Sequence, residues 1–223
     1  MLTFNDIAKS SDKLVKFLHV ATGQRVEFPA FLTEYSDNYD VSWGTEQVYG
    51  RNDPIKPYQS TTRNISIAFD VVAENIDRGR QNMANYGRLI QMLYPVYSTP
   101  IFSAGVKGRT LKAPPFMRIE FANLITNTSR TAQEKGILGC INGLQFNPNR
   151  DAGFFHDGPD IIPKIFNVSF KFDPQHEGEL GFESGRFLSK KFPYNQLDPE
   201  MAQGIASQQS EVTEARQDDV LNR

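Results

Sequence analysis

The sequence predicts a mainly β, α+β fold with one central helix: an antiparallel sandwich or barrel with an amino-terminal hairpin and a carboxy-terminal extension. Three observations predict it. Apolar and polar residues alternate in several separate stretches, which is the period of half-buried strands. Only between Ile76 and Tyr94 does the spacing change to three, four and seven, as on one face of a helix. The aromatic content also suits sheets, with 17 Phe and 8 Tyr against a single Trp.

The elements follow in order. Residues 1–12 are mixed in character and read as an arm, and KLVKFLHV and RVEF flank the turn-like ATGQ, which contains Gly23 and predicts a hairpin. Tyr39, Val41 and Trp43 alternate with Asp40 and Ser42. A polar segment over residues 44–62 reads as a loop, and then Ile65, Ile67, Phe69 and Val71 alternate with Ser66, Ala68 and Asp70 in the best-defined strand of the chain. In the helix, Ile76, Met83, Tyr86, Ile90 and Leu93 form the predicted apolar face, and Pro95 ends the run.

Further strands are predicted at Met117, Ile119 and Phe121, and at Cys140, Leu144 and Phe146 after the Gly-rich KGILGCING. The last is at Phe166, Val168, Phe170 and Phe172, whose apolar positions are expected to face Ile65–Val71, both sets pointing into the core. Alternation of this kind, without continuous apolar runs, favours antiparallel pairing, with the helix covering one side or end. The body is therefore expected over residues 13–194. Residues 195–223 contain no aromatic, six acidic and two basic residues, and read as an acidic extension.

With 223 residues the chain is long enough for one sizeable core. The formal net charge of −2 leaves no global basic field of the kind that binds nucleic acid. A single cysteine, Cys140, excludes an intramolecular disulfide and suits a reducing compartment. The amino terminus carries no basic region followed by an apolar run, and no stretch of about 18 apolar residues occurs, so neither a secretory signal nor a membrane span is expected.

Motifs for chemistry are sparse. Asp151, His156, Asp157, Asp160, Asp173, His176 and Glu177 offer carboxylates and imidazoles to a divalent ion, but Asp-Gly, Gly-Pro and Asp-Pro pairs place these acids where turns want them, and neither HExxH nor HxH occurs. His19 reads as a strand histidine with a satisfied partner, and Cys140 as a buried packing thiol. The glycines of GILGCING match neither a P-loop nor a dinucleotide fingerprint, and suggest a bulge or a close approach of strands. Arg78, Arg80 and Arg88 read as the solvated side of the helix. No catalytic residue, metal ligand or cofactor is assigned.

The order of elements says more than any motif. The run SDNYDVSWGTEQVYGRNDPIKPYQSTTRNISIAFDVVAENIDRGRQNMANYGRLIQMLYP resembles the first half of the tail-tube fold of phages with contractile tails: strand, polar loop, long strand, then a helix against the sheet. KAPPFMRIEFAN, GILGCINGLQFNPNRDAGFF and PKIFNVSFKFDPQHE are similar to the later strands of tube-initiator and inner-baseplate proteins. The resemblance covers roughly residues 30 to 180. The extensions at both ends depart from a simple tube subunit and fit a single-ring initiator or adaptor better.

The resemblance implies a non-enzymatic virion protein at the tail baseplate, assembled in the host cytoplasm. Self-association in a ring, sixfold by analogy, is expected, next to the tail tube protein and the hub or spike protein. Wedge or sheath-initiator proteins are further expected neighbours, no membrane is involved, and DNA passes only as cargo through the lumen. Two alternatives stay open: a wedge or tube-terminator position, and, in another class, a small metal-dependent hydrolase acting on cell wall. On the structural reading the polar segment 44–62 is an assembly loop. Arg51, Asn52, Asp53, Pro54, Lys56, Tyr58 and Gln59 are its expected interface residues: Arg51, Asp53 and Lys56 set register by charge, and Pro54 with Pro57 limits the entropy cost of ordering.

Overall fold

In a computed structural model of the protein, residues 14–29, 31–98, 101–103, 106–127 and 135–196 are described. The arm over residues 1–12 and all but the first two residues of the acidic extension lie outside them.

The chain opens with strands β1 (Leu14–His19) and β2 (Arg25–Pro29), which pair as the predicted hairpin. A long hairpin follows, β3 (Phe31–Trp43) with β4 (Tyr58–Val72), and then helix α1 (Ile76–Met92). Two nested short pairs come next: β5 (Val96–Tyr97), β6 (Ile101–Ser103), β7 (Val106–Gly108) and β8 (Leu111–Ala113), with β5 on β8 and β6 on β7. Beyond them lie β9 (Met117–Phe121), β10 (Ile137–Pro148), the small hairpin β11 (Phe154–Asp157) with β12 (Asp160–Pro163), and β13 (Ile165–Pro174). A last hairpin joins β14 (Phe182–Glu183) to β15 (Arg186–Phe187).

Seven strands form one antiparallel sheet in the order β2-β1-β9-β10-β13-β4-β3. The expected sandwich or barrel thus takes the form of a single sheet rolled on itself. Phe17 on the second strand of that order meets Phe170 on the fifth, with ring centroids 5.7 Å apart, and Phe28 on β2 meets Phe69 on β4 at 6.0 Å. The two edge strands are consecutive in sequence, Pro29 ending β2 and Phe31 beginning β3, so the edges must converge at that corner.

Registers explain the core. Phe166 pairs with Val71, Val168 with Phe69, Phe170 with Ile67 and Phe172 with Ile65, and all eight side chains are buried. A one-residue slip would turn this whole apolar set to solvent, which is why the alternation fixes the register. The glycines of β10 do both things expected of them. A Cβ on Gly139 would run into the Asp173 carbonyl and come within 2.7 Å of the Phe172 ring, so only glycine admits this strand approach. Gly143, at φ +65°, sits in the register shift between Asn142 and Gln145.

The helix begins where Asn75 accepts a hydrogen bond from the Arg78 amide at 2.8 Å, with Asp77 in the positive first turn. Its buried face is Gly79, Asn82, Tyr86, Leu89 and Met92, rotated from the predicted one: Ile90 is exposed, and Met83 and Leu93 pack only partly. The stripe was masked because two of its positions are not apolar. Gly79 makes room for Ile162 of β12, whose Cγ2 would lie 2.6 Å from a Cβ there, and Asn82 donates to the Val72 carbonyl at 3.3 Å. Tyr86 then packs on Phe146 at 4.8 Å and meets Phe166 edge to face at 6.0 Å, fixing the helix against the sheet.

Candidate functional site

Of the segment read as a loop over residues 44–62, Tyr58–Thr62 belong to strand β4, and isolated ladder bonds carry the pairing on to Glu46 and Ile55. β4 starts at Tyr58 and pairs with β3 throughout, Trp43 with Tyr58, Val41 with Thr61 and Tyr39 with Arg63. Beyond the strands the ladder continues, with the Gly44 amide on the Pro57 carbonyl at 2.8 Å and reciprocal Glu46–Ile55 bonds at 2.9 Å. The true turn is only residues 47–54. Tyr58 and Gln59 are thus strand residues, whereas Arg51, Asn52, Asp53 and Pro54 lie in the turn and Lys56 on its return side. All seven except the half-buried Pro54 are exposed. Turn chemistry dominated the composition of this stretch and hid the ladder, because exposed ribbons lack the one-sided apolar pattern that marks a strand.

The result is an arm. From Asp37 to Glu46 the ribbon extends about 30 Å at the rise of an extended strand, and residues Tyr58–Thr62 are exposed on both faces. Apolar side chains are not withdrawn from it: Tyr39, Val41, Trp43, Val48, Tyr49, Ile55 and Tyr58 are all large, apolar and exposed. Trp43 and Tyr58 meet edge to face at 5.6 Å, and the Tyr58 hydroxyl lies 2.8 Å from Thr61 Oγ1.

At the base of the arm lies a feature that the sequence reading did not single out. Arg63 is the first buried residue of β4, and its guanidinium binds Asp37 in a bidentate pair, Nε to Oδ1 at 2.9 Å and Nη2 to Oδ2 at 2.7 Å, with both side chains 2% exposed. The rings of Tyr39 and Phe192 flank the guanidinium at 5.5 and 5.3 Å. The hydroxyls of Tyr39 and Tyr194 donate to Asp37 Oδ2 at 3.3 and 3.2 Å, and that of Tyr35 donates to the Leu124 carbonyl at 3.2 Å. Burial opposes the charge on Arg63, but the hydrogen bonds it donates to Asp37, with the electrostatic pull of Asp37 and of the tyrosines around it, hold its pKa above the ordinary value. Burial and the neighbouring Asp37 carboxylate push Tyr35 upward too, so its hydroxyl stays a donor. A signal was present: Arg63 occupies the inward period of Ile65, Ile67 and Phe69, and hairpin register sets Asp37 beside it.

The remaining candidates are dispersed. His156 stands exposed on β11 and Asp160 on β12, while Asp173 is bonded to Asn142, His176 packs on Phe192 at 5.4 Å, and Glu177 takes Arg118 in a bidentate pair at 2.6 and 2.5 Å. Arg118 draws the Glu177 carboxyl below its usual range. Among the described residues no three of His, Cys, Asp and Glu gather as metal ligands. Cys140, expected to be buried, is half-exposed on the outer face of β10, and burial together with Asp173 raises its pKa, the opposite of an activated thiol. His19 ends β1 with Nδ1 2.7 Å from Thr22 Oγ1, but Nε2 is buried and has no partner among the described residues, so only one side of the ring is satisfied as expected. Arg80 and Arg88 lie on the exposed side of α1 and Arg78 is half-buried. No helix among the described residues is long and apolar enough to cross a membrane.

No protein-family model matches the chain, and no curated protein does. Among solved structures it is similar to the crystal structure of the SPP1 Dit (gp 19.1) protein, described as a paradigm of the hub adsorption apparatus in phages infecting Gram-positive hosts. The likeness has a TM-score of 0.37 and 11% identity over 73% of this chain. The chain spans 50% of the length of that protein.

Proposed function

We propose that this protein is a structural, non-enzymatic component of a phage tail, and more narrowly a ring-forming subunit at the baseplate of a contractile tail that joins the hub to the tail tube and starts tube assembly. The β3–β4 arm is the observation that carries this reading. A ribbon exposed on both faces, bearing Trp43, Tyr58 and Tyr49 outward and Arg51, Asp53 and Lys56 near its tip, is costly to present to water without a partner. The order of elements, which resembles the tail-tube fold, supports the same reading from the sequence.

In this role the arm reaches from one subunit to the next. Its aromatics supply apolar contact and its tip charges set register, so a completed ring presents a repeated template that converts nucleation of the tube into docking. Sixfold closure and the tube, hub, wedge and sheath-initiator proteins as neighbours belong to this proposal, as do the arm and extension at the two chain ends.

The test reverses the tip charges. Arg51→Glu with Lys56→Glu is expected to leave the fold and melting temperature near those of wild type, because exposed charges contribute little to stability, while ring formation and incorporation into particles fail. Light scattering beside wild type and a particle-incorporation assay read this directly. Normal assembly of the reversed protein would remove the arm from the mechanism.

A further inference from the structure

We infer that residues 192–194 form a strap that fixes the direction of the β3–β4 arm, with the Asp37–Arg63 pair as its anchor. The pair stands where the ribbon leaves the apolar core: Ile65 is fully buried, Arg63 is 4% exposed, and Tyr58–Thr62 are exposed. Beyond that point no core packing among the described residues holds the arm, and a two-stranded ribbon alone is free to twist and swing.

The pair is gripped from outside the hairpin. Phe192 lies over the guanidinium at 5.3 Å and meets Tyr39 edge to face at 6.2 Å, so one ring touches both strands of the arm's base. The Tyr194 hydroxyl donates to Asp37 Oδ2 at 3.2 Å across a sequence separation of 157 residues, and His176 backs Phe192 at 5.4 Å. Tyr35 adds a tie to the Leu124 carbonyl.

A buried ion pair is a poor way to gain stability, since apolar side chains of similar volume often serve as well or better. What a bidentate guanidinium–carboxylate pair supplies is angular definition, because the planar fork accepts only one orientation of its partner. Placed at the root of a projecting ribbon and covered by a distant segment, it sets where the arm points. This holds independently of what the arm touches.

Trp43, the single tryptophan of the chain, sits on the arm and reports its motion. Time-resolved fluorescence anisotropy of the full-length protein is measured for wild type, Phe192→Ala and Tyr194→Phe, together with amide exchange of β13. In wild type Trp43 is expected to depolarise with the tumbling of the whole molecule. Phe192→Ala is expected to lose roughly half of the long-lived anisotropy to a nanosecond component, and Tyr194→Phe to lose less in the same direction, with β13 protection unchanged. Tyr194→Phe removes one hydroxyl and keeps the ring, so it carries the test even where Phe192→Ala does not fold. An unaltered Trp43 decay in the folded variants overturns the strap, as does a loss of β13 protection that accompanies the arm's motion.

Discussion

The two halves of β4 share one strand and one neighbour in β3, yet only Ile65–Val72 also pairs with β13, and the halves do opposite work. From Arg63 to Val71 the inward side chains are buried to 4% exposure or less, locked against β13 and the rings of Phe28 and Phe170. From Tyr58 to Thr62 every residue is exposed, although β3 runs alongside throughout. Backbone pairing therefore makes a strand but does not make a core. What separates the halves is β13 on the second edge together with a layer across the inward face, and Arg63 with Asp37 marks the line where both stop.

The sharpest way to test the contrast is to remove a side chain from the buried half. Phe69→Ala deletes a fully buried ring that touches Phe28 and Phe170, and is expected to cost about 3–5 kcal/mol in a denaturant melt. Ser66→Ala, on the outer face of the same strand, is expected to stay within about 0.5 kcal/mol. Equal costs for the two would mean that the inward face is misassigned.

Acid is expected to act next in size. His19 is held below the ordinary imidazole pKa by burial, and His176 by burial and by Arg63. Below roughly pH 6.5 the unfolded chain therefore binds protons that the folded chain refuses. By linkage the stability from these groups is complete above that pH and falls as pH drops through it. For His19 the physical cause is visible, since a proton on buried Nε2 would find no acceptor. Glu177, lowered by Arg118, extends the loss below the usual carboxylate range near pH 4.5. Thermal melts between pH 8 and pH 4 should show a plateau followed by a decline that begins near pH 6.5, and a flat profile down to pH 5 would contradict these assignments.

Much of the buried half was legible in the sequence, because period-two alternation and burial are the same fact seen twice. That period marked Ile65–Val71 and Phe166–Phe172 as strands with these side chains inward, the two lying side by side in one sheet, and the turn marked the β1–β2 hairpin. The helix was located, but its inward face was misjudged: Gly79 and Asn82 serve close approach and hydrogen bonding, which an apolar count does not see. The exposed half was harder. Tyr58–Thr62 has no second layer to impose alternation, so it read as loop. The Asp37–Arg63 pair depends on hairpin register, and its cover of Phe192 and Tyr194 on a contact more than a hundred residues away in sequence, which no local pattern encodes.

The smallest expected effect on stability belongs to the arm, and it is the most telling. Trp43 and Tyr58 are 55% and 57% exposed, and their edge-to-face contact joins only two strands of a ribbon that has already left the core. An aromatic pair of this kind is worth about 0.5–1.5 kcal/mol to whatever it holds together. Here that is the end of the arm, which can fray without opening the sheet, and local fraying is not counted in the global unfolding midpoint. Trp43→Ser with Tyr58→Ser should therefore leave the free energy of unfolding within about 0.5 kcal/mol of wild type, measured by denaturant melts followed by circular dichroism. Self-association measured on the same samples should fall, because the substituted side chains are the apolar part of the proposed contact. A loss of stability beyond 1.5 kcal/mol, above the pair's own value, would mean that the arm packs on its own domain, and the division drawn at Arg63 would have to move outward along the strand.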